Sequence, residues 1–160
     1  MLQKTSQEQL SAGTATATTT RVLHRDYETR SRVILKSVGA YKYAIDPSTE
    51  VLCCAFAVDD EPAQLWTPSN AVPAAFIEAT TATDPAWIVA AHNDAFETAI
   101  EQYILAPRHG GPVIPIERHR CAMAAALAVG LPARLNTVAN ALYRVPLIRT
   151  RAPIGTIRGT

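Results

Sequence analysis

No acidic residue follows Glu117 in this 160-residue chain, although Arg118, Arg120, Arg134, Arg144, Arg149, Arg151 and Arg158 all lie there. The C-terminal part is therefore basic and the remainder mildly acidic, while the net charge of +1 says nothing about partners. Cysteine is scarce: Cys53, Cys54 and Cys121 make no CxxC or Cys/His ligand spacing, which argues against a disulfide framework or a thiolate zinc site. They read as reduced thiols, two of them inside an apolar run where a thiol packs as a small hydrophobe. His92, His109 and His119 show no metal-ligand spacing either. The seven glycines form neither GxGxxG nor a P-loop, so those phosphate cradles are excluded. No apolar run approaches the roughly 20 residues a membrane-crossing helix needs, and the N-terminus has no signal-peptide pattern. The expectation is a cytoplasmic protein, neither membrane-bound nor secreted.

What is present suits a single globular domain: 48% hydrophobic and 18% charged residues over a length sufficient to bury a core. Residues 1–20 are rich in Thr, Ser, Gln and Ala and cannot bury enough apolar surface to offset their ordering entropy, which predicts a disordered tail. Residues 21–27 form a short first strand, with His24 and Arg25 unusually polar for a central position. Residues 33–43 alternate weakly around a flexible point at Gly39. Residues 50–58, apolar and bounded by turn residues, are the clearest strand. A hairpin connection at 59–62 leads to a returning strand at 63–67, and a helix starts at Pro73 and runs to about Thr80. Residues 87–91 make a short buried strand that runs into the N-cap cluster His92-Asn93-Asp94. The helix beyond it carries Phe96, Ala99, Ile100, Tyr103 and Ile104 on one face until Pro107 and Gly110 end it. Residues 120–129 and 135–142 read as two further helices, and 144–160 as an irregular basic tail. The order of elements is α/β.

Chemistry concentrates at Asp26-Tyr27-Glu28-Thr29-Arg30-Ser31. Side chains alternate along a strand, so Asp26 and Glu28 point the same way. Two such carboxylates are tolerated where a hard cation such as Mg²⁺ sits between them, making a candidate phosphoryl-transfer site. A solvated strand end carrying two acids is the plain alternative. Glu97, in the first turn of the helix that leaves the 87–91 strand, reaches the pair if that strand lies beside the first. Otherwise it is an ordinary acid complementing a helix dipole.

Together these stretches resemble the 3′–5′ exonuclease family that uses four acidic residues on a ribonuclease H-like fold. The wider likeness is to the start of phage-type family A DNA polymerases. It is carried by Asp26-Tyr27-Glu28-Thr29-Arg30-Ser31, Val38-Gly39-Ala40-Tyr41, Asp46-Pro47-Ser48-Thr49-Glu50-Val51-Leu52 and Leu65-Trp66. It continues through Ala91-His92-Asn93 with Phe96-Glu97 and through Arg120-Cys121-Ala122-Met123-Ala124, covering residues 22–143. The resemblance implies a ribonuclease H-like mixed sheet flanked by helices and incomplete at its C-terminal end. It implies a proofreading activity on a single-stranded 3′ end of DNA, by a monomer with two Mg²⁺ or Mn²⁺ ions. Asp26, Glu28 and Glu97 would be the catalytic metal ligands, and Thr29, Asn93 and Phe96 would contact the terminal nucleotide.

The sequence departs from that family in three respects. The third exonuclease motif, a Tyr or His followed four residues later by an Asp, is missing, and so is the fourth carboxylate. The polymerase domain is missing too, and the family-like pattern dissolves near Tyr143. His24-Arg25 stands where an apolar pair is expected. Two readings therefore stand side by side: a metal-dependent exonuclease fragment, and an inactive remnant with at most weak metal or single-stranded DNA binding. A third reading, with the basic tail as a nucleic-acid arm, has no aromatic interleaving to support it.

Overall fold

The computed structural model describes residues 19–83 and 86–143. Five strands, β1 (Arg21–Arg30), β2 (Glu50–Val58), β3 (Gln64–Trp66), β4 (Trp87–Ala91) and β5 (His119–Cys121), form one mixed sheet in the order β3-β2-β1-β4-β5. The β1–β2–β3 meander is antiparallel, whereas β4 and β5 run parallel to β1. With helices packed on the sheet, the architecture is α/β and consistent with a ribonuclease H-like fold. The expected tails, 1–20 and 144–160, fall almost wholly outside the described residues.

The sheet has two unlike faces because β1 alternates strictly. Leu23, Arg25 and Tyr27 are buried, while His24, Asp26 and Glu28 are exposed. On the buried side the core includes Leu23, Tyr27, Cys54, Phe56, Val58 and Val89. It is covered by α1 (Leu35–Ile45), α2 (Ala74–Thr81) and a long helical segment that starts with α3 (Asp94–Ile100). Phe76 of α2, 1% exposed, sets its ring against Phe56 at 5.6 Å and Tyr27 at 6.5 Å. Burying a phenyl ring of this kind stabilises the fold by roughly 1.5–3 kcal/mol.

Several sequence expectations change. The first strand is longer than residues 21–27: Glu28, Thr29 and Arg30 pair with Cys53, Val51 and Glu50, extending the ladder past the acids. The register skips Leu52 between Glu28 and Thr29, so a bulge lies directly beside the acidic pair. Such bulges bend a strand and re-aim its side chains. The weakly alternating stretch 33–43 is helical, with its last turns buried through Tyr43 and Ala44. The expected flexible point survives as a break in α1, because Gly39 takes φ 79°, a conformation costly for any residue with a Cβ. The helix after Asn93 reaches Gly110 as expected, but Pro107 does not end it. It passes through a π turn (Glu101–Leu105) into α4 (Ala106–His109), accommodating Pro107, and ends at Gly110 with φ 66°. The helix expected from Arg120 begins later, at α5 (Ala122–Ala128), because His119–Cys121 pair with Val89–Ala91 as β5. The last expected helix is α6 (Leu135–Tyr143). No helix among the described residues is long and apolar enough to cross a membrane.

Candidate functional site

Asp26 and Glu28 stand exposed on one face of β1, as alternation requires. β4 lies beside β1 only as far as the His24–Ala90 pair, and then the chain turns away into α3. Beyond that point the β1 edge has lost its strand neighbour, and the Tyr27 amide would be left without a ladder partner. Glu97 fills the place: its Oε2 accepts the Tyr27 N–H at 3.1 Å, and the residue is 3% exposed. The parallel pairing of β1 and β4 therefore brings Glu97 to the acidic strand.

Burial pushes the Glu97 carboxyl up to about 8, opposed by the Tyr27 amide and raised further by the Asp26 charge. A buried acid raised this far, with a neighbouring carboxylate charge adding to the shift, marks a candidate site. The donors suit a hard divalent cation, since all are carboxylate oxygens. The Asp26 charge raises the Glu97 carboxyl, and Glu28 shares the face of Asp26. Among the described residues, no three His, Cys, Asp or Glu converge closely enough to hold a metal ion as they stand.

Of the other expected site residues, Thr29 and Phe96 both adjoin Tyr43, and Asn93 stands at the start of α3. Asn93 is exposed, and its carbonyl rather than its side chain starts α3, accepting from the Phe96 amide at 2.9 Å. Phe96 is half-buried, with its ring 6.0 Å from that of Tyr43. The Thr29 hydroxyl is engaged by the Tyr43 hydroxyl at 3.0 Å, which leaves its backbone as the part facing the bulge.

Two grooves meet at this end of the sheet. One, of about 370 Å³, is bordered by His24 and Asp26 over the small side chains Ala55, Ala57 and Ala90. The other, of about 740 Å³, is bordered by Lys36, Asn93, Arg134 and Asn136. His92 and Leu135 line both, so the groove at Asp26 and the groove carrying Lys36 and Arg134 are neighbours across these two side chains. His92 also fixes that wall: its Nε2 lies 2.7 Å from the Ala133 carbonyl ahead of α6.

Sequence reasoning missed what lies behind Glu97. The Arg25 side chain is fully enclosed, its guanidinium donating to Glu101 at 2.5 and 3.2 Å and to Asp94 at 3.0 Å. His119 Nδ1 sits 3.1 Å from Asp94, and its Nε2 is 3.2 Å from the Ile114 carbonyl. Burial opposes the charge of Arg25, but Glu101 and then Asp94 outweigh it and leave its pKa raised. A signal was present: Asp94, Glu97 and Glu101 recur at helical spacing, placing three acids on the face that packs on β1. A stripe of acids on a buried helix face requires a buried cation.

No family model matches the chain. The chain is similar to a phage DNA polymerase. It is 32% identical over 125 residues to a DNA polymerase of Bacillus phage SP02, covering 76% of this chain and 18% of that protein. The matched stretch spans less than a fifth of the length of that relative. The similarity supports a relationship to DNA polymerases.

Proposed function

We propose that this chain is the metal-dependent 3′–5′ exonuclease part of a phage-type DNA polymerase, removing nucleotides from a single-stranded 3′ end of DNA. The observation that carries this reading is Glu97, a buried carboxyl seated on the Tyr27 amide and pressed by the charge of Asp26. Carboxylates whose charges act on each other favour a proton or a cation between them. Asp26 and Glu97, with Glu28 on the same strand face, would hold Mg²⁺ or Mn²⁺, which would activate water and stabilise charge on the scissile phosphate. Glu97 has to give up its proton before it can act as a ligand. The Tyr27 amide keeps it oriented in either state.

The neighbouring groove beyond the acids would take the strand. Lys36 and Arg134 present two positive charges to the sugar–phosphate backbone, and neither makes an ion pair with a described residue. The exposed Asn93 amide and the Phe96 ring flank the start of α3, where a terminal nucleotide would rest, and Thr29 would contribute its backbone. A cationic groove with a nearby aromatic ring is the arrangement by which single strands are held without sequence preference.

A second reading is an inactive remnant that at most binds metal or single-stranded DNA weakly. It is favoured by the lack of a three-donor cluster among the described residues.

Release of nucleotide from a 3′-labelled single strand, by the full chain with Mg²⁺ or Mn²⁺, distinguishes the two. The exonuclease reading expects release that EDTA and Asp26→Ala both abolish. Release no greater than in those controls establishes the remnant.

A further inference from the structure

Glu97 does not position itself. The helix that carries it rests on β1 through charged contacts on either side of that residue. Asp94 lies nearly one turn before Glu97 and Glu101 about one turn after, and Arg25 of β1 reaches both with one planar guanidinium. Nε and Nη2 form a fork on the two oxygens of Glu101, and Nη2 also donates to Oδ1 of Asp94. The Tyr27 hydroxyl adds a bond to Glu101 at 3.3 Å, while the Thr98 hydroxyl and His119 close the other end around Asp94. Asp94, Glu101 and His119 are all less than 9% exposed, and the Arg25 side chain has no exposure at all. Its Nη1 has no hydrogen-bond partner among the described residues.

This is costly construction for a strand–helix contact. Apolar packing would hold α3 as firmly, without desolvating a cation and two acids. What a fork adds is direction. A planar guanidinium with two acceptors at fixed places resists both rotation of the helix about its axis and sliding along the strand. Either movement would lift Glu97 from the Tyr27 amide and away from Asp26. The next residue after Arg25 is Asp26 itself, so one strand segment sets both halves of the site.

We infer that Arg25 is a positioning residue, whose fork on Glu101 and Asp94 fixes the placement of Glu97 against Asp26. The inference rests on the exonuclease reading for its catalytic consequence, but its geometric content is independent of activity.

Arg25→Lys keeps the positive charge and the alkyl stem but cannot span Glu101 and Asp94. In the full chain, the Tyr27 amide of this variant is expected to exchange with solvent at least tenfold faster. Amides of the β1–β4 ladder, such as that of Val89, are expected to keep their wild-type rates. Mn²⁺ affinity and kcat should each fall about tenfold or more, with KM for the labelled strand within about twofold. Arg25 acting only as a buried charge, or only as a stabiliser, predicts instead that Lys restores wild-type exchange, affinity and kcat, and that result would overturn the inference. If the wild type releases no nucleotide, the exonuclease reading fails, and Tyr27 exchange still decides the role of Arg25. Should Arg25→Lys not fold, the double variant Arg25→Met with Glu101→Gln removes the fork and one of its carboxylates together. A Tyr27 amide as protected there as in the wild type would overturn the inference equally.

Discussion

Glu97→Gln offers the sharpest test of the site's electrostatics, because it removes a charge while keeping an acceptor for the Tyr27 amide. The carboxyl titrates at about 8 in the folded chain, pushed up first by burial and then by Asp26, against 4.5 for an ordinary Glu. A raised carboxyl pKa stabilises the fold below the unfolded value. That contribution drains away as pH rises from about 4.5 through 8. At 1.36 kcal/mol for each tenfold change, the full contribution is on the order of 4–5 kcal/mol. The residue is only 3% exposed, so solvent screening reduces this little. Domains of this size are stable by about 5–15 kcal/mol, which makes the effect large enough to read directly. Urea unfolding in the presence of chelator, at pH 6 and pH 9, is the assay. The wild type should lose about 2–3 kcal/mol between the two, and Glu97→Gln should lose little. The variant should therefore be more stable than the wild type by about 2 kcal/mol at pH 6 and by about 4–5 kcal/mol at pH 9. Mn²⁺ at pH 9 should restore the wild type and leave the variant unchanged. An equal fall in wild type and variant between pH 6 and 9 would refute the placement of a buried, proton-holding carboxyl beside Asp26.

Further outcomes follow from other parts of the molecule. Lys36→Ala with Arg134→Ala should weaken metal-free binding of a single-stranded oligonucleotide, and the log–log salt slope should shrink by about 0.7 for each phosphate contact given up; fluorescence anisotropy across a salt series measures both. Burial pushes the Cys54 thiol up to about 12, so a thiol-specific chromogenic reagent at pH 8 should modify Cys53 and Cys121, which are partly exposed, and leave Cys54 intact until the chain unfolds. Phe76→Ala should cost roughly 3–5 kcal/mol in urea unfolding, since its ring is enclosed between Phe56, Tyr27 and α2.

The sequence by itself determined the strands whose patterns need no partner to be recognised. Residues 50–58 and 87–91 are apolar runs closed by turn residues, and both appear where their chemistry puts them. It also determined that Asp26 and Glu28 share a face, because alternation is a property of any extended chain. The helix Leu35–Ile45 was not legible: its apolar residues are too sparse for a clear period, and Tyr43 and Ala44 become core only once β2 and α3 are in place. The strand His119–Cys121 was hidden for a similar reason, since three residues carry no pattern and pair only because Val89–Ala91 offer a free edge. Tertiary structure alone decided the site. Parallel pairing of β1 with β4 stops at His24, which vacates the Tyr27 amide and lets Glu97 of a distant helix take it. The His24-Arg25 pair, anomalous as sequence, sorts by the same alternation into a groove residue and a buried fork. Position along the chain fixed which way each side chain pointed, and only the packing of α3 on β1 fixed what it met there.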